Sequence, residues 1–180
     1  RSSPAAVLVP SALADAPEGS LVEVSPAMIE LMDLLARRLV AQGGAVLIID
    51  YGPARPVEGE TLQAVRAHHR HDVLNAPGEA DLTTHVDFST LARTAREAGA
   101  DVYGPVSQGK LLRALGIEAR SEVLAAKAAP RQRKALDAAL TRLTDAGAMG
   151  DLFKGLAVTA PGLPVPAGFE AAVETGPAPH

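Results

Sequence analysis

The chain has no cysteine and no tryptophan among its 180 residues, and only 3% of them are aromatic. Without cysteine there is no disulfide, no thiolate metal site and no cysteine nucleophile, a composition compatible with a reducing compartment. Basic residues are not in excess either: 17 Lys and Arg stand against 21 Asp and Glu, a formal net charge of −4. That balance gives neither a nucleic-acid-binding footprint nor an acidic disordered tail. No apolar run is long enough to cross a bilayer, and no signal peptide opens the chain. The first residue is Arg1 rather than Met, as expected of a fragment or of what remains after a preceding segment.

What is present is enough for one core, since 47% of the residues are hydrophobic. The organising stretch is Gly43 to Gly52, in which Ala45 to Asp50 form an apolar run without alternation. Such a run predicts a strand buried on both faces of a mainly parallel sheet. Ligands of open α/β sheets bind beyond the carboxyl ends of the strands, which singles out Asp50, Tyr51 and Gly52. Before this strand, Ser25 and Pro26 open a helix in which Met28, Met32, Leu35 and Leu39 recur at helical spacing, with Gly43 at its end. Leu21–Val24 is expected to be a short strand. Residues 1–19, with one apolar patch at Ala6–Val9, read as a loop or edge segment.

After Gly52, the spacing predicts a short helix over Thr61–His71, a helix over Ser89–Ala98 stopped by Gly99, and a strand over Ala100–Val106. Helices over Gln108–Leu115, from a Ser121 cap and from Pro130 follow, then a strand over Leu152–Thr159. The main domain is thus residues 20–160, and the Pro- and Gly-rich residues 161–180 read as a flexible tail.

Three constellations carry chemistry. Gly104 to Lys110 fits the phosphate-loop pattern G-x-x-x-x-G-K between a strand and a helix. However, Leu111 stands where Ser or Thr holds Mg²⁺, Pro105 lacks an N–H, and the strand ending at Asp50 precedes the loop. A nucleotide hydrolase is therefore a further alternative only. His68, His69, His71 and His85, with Asp72, Asp81 and Asp87, offer pairs that could chelate on extended chain, without a specific ligand spacing. Asp81, His85 and Asp87 form the third set: carboxylates orient a cation or take its proton, and an imidazole shuttles protons near neutrality. Against that, Asp87 is placed to cap the helix near Ser89, and Asp81 to close a turn onto Thr83. Tyr51 can stack and hydrogen-bond, or simply cover the sheet rim.

Six segments, taken in order, resemble one family: Gly44–Gly52; Gly59–Leu62 with His68; Pro77–Phe88; Ser107–Gly109; Leu115–Ile117; and Met149–Lys154. This set is similar to the MidA-type family of S-adenosylmethionine-dependent methyltransferases, which includes the mitochondrial complex I assembly factor that dimethylates a protein arginine. The resemblance runs from about Gly19 to Val158. It implies a class I, Rossmann-like methyltransferase α/β sheet with flanking helices, in which Gly44–Tyr51 is the fifth of seven strands. The family's Gly-rich cofactor turn and its acidic ribose ligand have no counterpart here, so only the C-terminal half of the domain is expected. The implied activity is methyl transfer from S-adenosyl-L-methionine to a protein, on an arginine side chain. Asp81, His85 and Asp87 are the expected catalytic residues, with Asp50, Tyr51, Gly52 and His68 on the substrate side of the cleft and no metal. A protein substrate is implied, no nucleic acid and no membrane span. Location would be cytoplasmic in a bacterium and the mitochondrial matrix in a eukaryote, with self-association possible through an exposed half-sheet. A non-catalytic assembly or scaffold module on the same fold is the alternative.

Overall fold

The computed structural model describes residues 7 and 9–173. In chain order the elements are α1 (Pro26–Gln42), β1 (Ala45–Tyr51), β2 (Gln63–Arg66), β3 (His69–His71), β4 (Asp81–Thr83), α2 (Phe88–Glu97), β5 (Asp101–Ser107), α3 (Gln108–Ala114), α4 (Ile117–Ala126), α5 (Pro130–Thr144), β6 (Phe153–Thr159) and α6 (Glu170–Val173).

The helix ends follow the sequence signals where those signals are local. Ser25 Oγ accepts the Met28 N–H at 3.3 Å, Pro26 fills the first turn, and the Gly43 N–H closes α1 on the Leu39 carbonyl at 2.8 Å. Met32, Ala36 and Leu39 then fall on one buried face. They meet Phe88, Leu91 and Ala95 of α2 over Leu156 and Val158 of β6. Complete burial of Met32, Phe88, Leu156 and Val158 stabilises the fold by about 1.5–3 kcal/mol for each side chain. Ala157 points the other way, as strand alternation requires, and joins Leu111 of α3 and Phe169 in a second cluster. Strand β6 is therefore covered on both faces.

The principal sheet has the order β1-β6-β5, and both of its ladders are antiparallel. This corrects the expected mainly parallel pairing: β1 and β5 share a direction but are separated by β6. Burial of β1 on both faces is corrected as well. Val46 and Ile48 pack on the first core, whereas Leu47 and Ile49 are 57% and 53% exposed on the opposite face. An apolar run reports the character of both faces, not whether this chain covers them.

Other differences have local causes. Thr61–His71 is a hairpin rather than a helix: β2 pairs with β3 on one side and β4 on the other, and Ala67 and His68 turn the chain with φ of 51° and 65°. Leu21–Val24 joins no ladder. Ser121 lies inside α4, which begins after Gly116 in the left-handed region. Beyond Ala160, the stretch expected to be flexible places Phe169 at 2% exposure and forms α6. Residues 174–180, and Ala6 and Leu8 of the N-terminal patch, lie outside the described residues.

Candidate functional site

At the carboxyl end of β1 the chain is crossed by the segment that leads into α2. The Val86 N–H donates to the Tyr51 carbonyl at 3.1 Å. A Cβ on Gly52 would lie 2.2 Å from the Val86 carbonyl oxygen, so only glycine admits this approach. The crossing sets the His85 ring edge-on to Tyr51, with centroids 5.8 Å apart, and Tyr51 makes a second edge contact with Phe153 at the same separation.

His85 is fixed from below by the backbone. Its N–H donates to Thr61 Oγ1 at 3.0 Å, and the Thr61 hydroxyl donates in turn to the Glu23 carboxylate. The other Glu23 oxygen accepts the Thr61 and Leu62 N–H groups at 2.9 and 3.2 Å. Burial pushes the Glu23 carboxyl up. The hydrogen bonds from Thr61 and Leu62, with the nearby His85 ring, outweigh that and hold it below the ordinary carboxylate range. Asp87 caps α2: it accepts the Ser89 hydroxyl at 2.7 Å, the Thr90 N–H at 3.0 Å and the Thr90 hydroxyl at 2.6 Å. Its burial likewise raises the carboxyl, and these bonds more than reverse the shift.

Glu23, His85 and Asp87 share the wall of a cleft of about 430 Å³ with Met28, Leu62 and Thr90. A smaller adjoining hollow, of about 40 Å³, is lined by the same three polar residues and Thr61. The structure thus brings His85 and Asp87 together beside Tyr51 and Gly52. Asp50 stands one residue earlier, accepting the Tyr51 N–H at 2.8 Å and paired across the ladder with Lys154. Asp81 is exposed on β4 opposite Val65, and His68 is exposed in the hairpin turn, so neither contributes to the wall. Glu23 is the residue that sequence reasoning missed. The alternation of Leu21–Val24 suggested a strand and hid a carboxylate isolated among apolar neighbours.

Two other constellations do not form. Strand β5 continues through Ser107 directly into α3, and the Gly109 N–H is spent on the Gly150 carbonyl at 2.9 Å, so residues 104–110 form no phosphate loop and the nucleotide-hydrolase alternative loses the motif it rested on. The described residues contain no group of three or more His, Asp or Glu able to hold a metal. His71 Nε2 instead donates to the Asn75 carbonyl at 3.1 Å, and Asp72 closes its own turn on the Leu74 N–H. No helix among the described residues is long and apolar enough to cross a membrane.

Two crystal structures from Burkholderia thailandensis are similar to this chain in fold. One, of an uncharacterised COG1565 superfamily protein, has a TM-score of 0.68 at 27% identity, over 82% of this chain and 40% of that one. The other, of a COG1565 superfamily member bound to S-adenosyl-homocysteine, has a TM-score of 0.65 at 27% identity, over 80% and 38%. A mixed α/β fold with its cleft at the strand ends thus falls in the COG1565 methyltransferase class. The chain belongs to the family described as "Putative S-adenosyl-L-methionine-dependent methyltransferase", whose model matches residues 1–106. This agrees with the MidA-type resemblance.

Among curated proteins, it is 40% identical over 138 residues to protein arginine methyltransferase NDUFAF7, mitochondrial, of Xenopus tropicalis, covering 76% of this chain and 32% of that protein. The Drosophila melanogaster homolog is 42% identical over 127 residues (69% and 29%), and the human protein 38% identical over 138 residues (76% and 31%). The chain spans about a third of the length of these relatives.

Proposed function

We propose that this chain supplies the acceptor side of a protein arginine methyltransferase, with the substrate guanidinium seated between Glu23, Asp87 and His85. The convergence of two carboxylates held below their ordinary range on one cleft, beside an imidazole and a tyrosine ring, carries the reading. A guanidinium is planar, always charged and rich in donors, which matches carboxylate acceptors and an aromatic edge. Because most lone pairs of Glu23 and Asp87 already serve Thr61, Leu62, Ser89 and Thr90, their contribution is a fixed negative potential rather than a full set of new bonds. His85 is the group free to accept a proton from the acceptor nitrogen. Rate enhancement would come chiefly from holding that nitrogen in near-attack geometry. Asp81, His68 and Asp50 would act on substrate segments farther from the reacting atom.

S-adenosyl-L-methionine is the methyl donor named for the family. The described residues do not fit it on their own, since no glycine-rich strand-to-helix turn is present among them. The cofactor cradle and the remaining strands of a seven-stranded sheet would then adjoin β1, whose Leu47 and Ile49 lie open.

The test is a calorimetric and NMR titration of the chain with an acetylated Gly-Arg-Gly amide and with its citrulline counterpart, read at the His85 ring. Preference for the arginine peptide is expected, with loss of that preference in the Glu23→Gln, Asp87→Asn double variant. Equal binding of both peptides, or an unchanged preference in the double variant, overturns the assignment.

A further inference from the structure

Helices α4 and α5 form a hairpin that packs on itself and on α3, and it is sparsely buried. None of the α4 residues is buried, and only Thr144 is buried in α5. Val123 is 68% and Leu124 45% exposed. Such helices derive little of their stability from tertiary packing, which is the usual source for helices of this length.

Between them runs an apolar groove. One part, of about 140 Å³, is lined by Ile117, Leu124, Leu136, Leu140 and Leu143. A second part, of about 460 Å³, shares Leu124 and Leu136 and extends toward Gln132. Leu136, Leu140 and Leu143 recur at i, i+4 and i+7, so they present one stripe. From Gln132 to Leu143 the groove follows α5 for about 17 Å, the length of three helical turns.

Charge says what fits there. Arg120 and Lys127 line the groove, and no carboxylate does. Over Ile117–Thr144 six basic residues stand against three acidic ones, in a chain whose net charge is −4. The ion pairs among the described residues engage Arg37, Arg66, Arg93 and Arg113, and leave Arg120, Lys127, Arg131, Lys134 and Arg142 without an acidic partner.

We infer that the α4–α5 groove is a docking surface for an acidic amphipathic helix of a partner protein. That helix is about three turns long, with apolar residues at i, i+3 or i+4, and i+7, and carboxylates on its flanks. Its apolar stripe completes a three-helix packing with α4 and α5, and its carboxylates meet Arg120 and Lys127. The surface is separate from the Glu23–Asp87 cleft and does not depend on the methyltransferase reading.

The test uses the 180-residue chain and a fluorescent peptide of about 14 residues, with leucines at helical spacing and glutamates elsewhere. A second peptide carries lysine at every glutamate position. Binding of the glutamate peptide is expected to weaken about tenfold or more in Arg120→Glu, Lys127→Glu and as strongly in Leu124→Asp. The control Arg38→Glu, Arg96→Glu, which makes the same charge change elsewhere, should bind as the parent does. The lysine peptide should bind only the Arg120→Glu, Lys127→Glu variant.

Equal weakening in the control reduces the effect to net charge and overturns the proposal. So does a chain whose groove is filled by its own copy, seen as a dimer that Leu124→Asp dissolves. A chain that pelleted with phosphatidylglycerol vesicles through Arg120 and Lys127 while ignoring the glutamate peptide would make the surface a membrane site instead.

Discussion

Asp87 holds three donors at the start of α2, so the substitution chosen there decides which of its properties is lost. Asparagine caps as well as aspartate, and Asp87→Asn should leave the fold standing while removing the charge from the cleft. Asp87→Ala should cost about 1 kcal/mol, read as a lower midpoint in urea unfolding. Asp87 and Glu23 both have carboxyls depressed in the folded state, so their stabilisation is complete above the unfolded carboxylate range and is lost as pH falls through the folded values. Thermal melts should therefore show the parent losing its advantage over Asp87→Asn below about pH 4. A gap independent of pH would remove Asp87 from that account. Gly52 makes a sharper case, because a methyl there meets backbone rather than a side chain that can rotate. Gly52→Ala should cost about 1–3 kcal/mol or more and separate the Tyr51 and His85 rings, visible as lost ring-to-ring NOEs. Caps such as Ser25 and Asp87 were legible because their partners lie three residues away. Glu23 was not, since its partners Thr61 and Leu62 are 38 and 39 residues distant.

The same distinction governs the elements. Helices α1, α2 and α5 announce themselves by period and caps, and they form where the sequence places them. Strand β2 carries no such signal: it is a strand because β3 and β4 flank it, and β4 arrives from residues 81–83. Its turn is no ordinary turn sequence either, for Ala67 and His68 both adopt positive φ, which neither side chain favours. Replacing the pair by Asn and Gly, the residues such turns prefer, should stabilise the hairpin by about 1 kcal/mol. A raised midpoint with unchanged binding of the arginine peptide would also place His68 outside the cleft's function. A raised midpoint with binding lost would return His68 to the substrate side.

On the scale of the whole molecule, the sheet is finished on one side and open on the other. Strand β6 is covered above and below, whereas β1, among the described residues, pairs only with β6 and turns Leu47 and Ile49 outward. The apolar character of β1 was plain in the sequence. Its coverage was not, because coverage depends on what lies beside the strand and not on the strand itself. Relatives of which this chain matches only about a third have further material to place there. In the chain alone, the outer edge of β1 offers unpaired backbone groups next to an apolar strip, the combination that invites edge-to-edge pairing. The 180-residue chain should accordingly sediment faster as concentration rises to about 50 μM, and added salt should not reverse this, since screening weakens charge pairing and not apolar contact. Leu47→Lys with Ile49→Lys should keep it monomeric without lowering its melting midpoint, because both side chains already face solvent while Val46 and Ile48 hold the core. If that variant associates as the parent does, the apolar strip of Leu47 and Ile49 on the open face of β1 is not the contact.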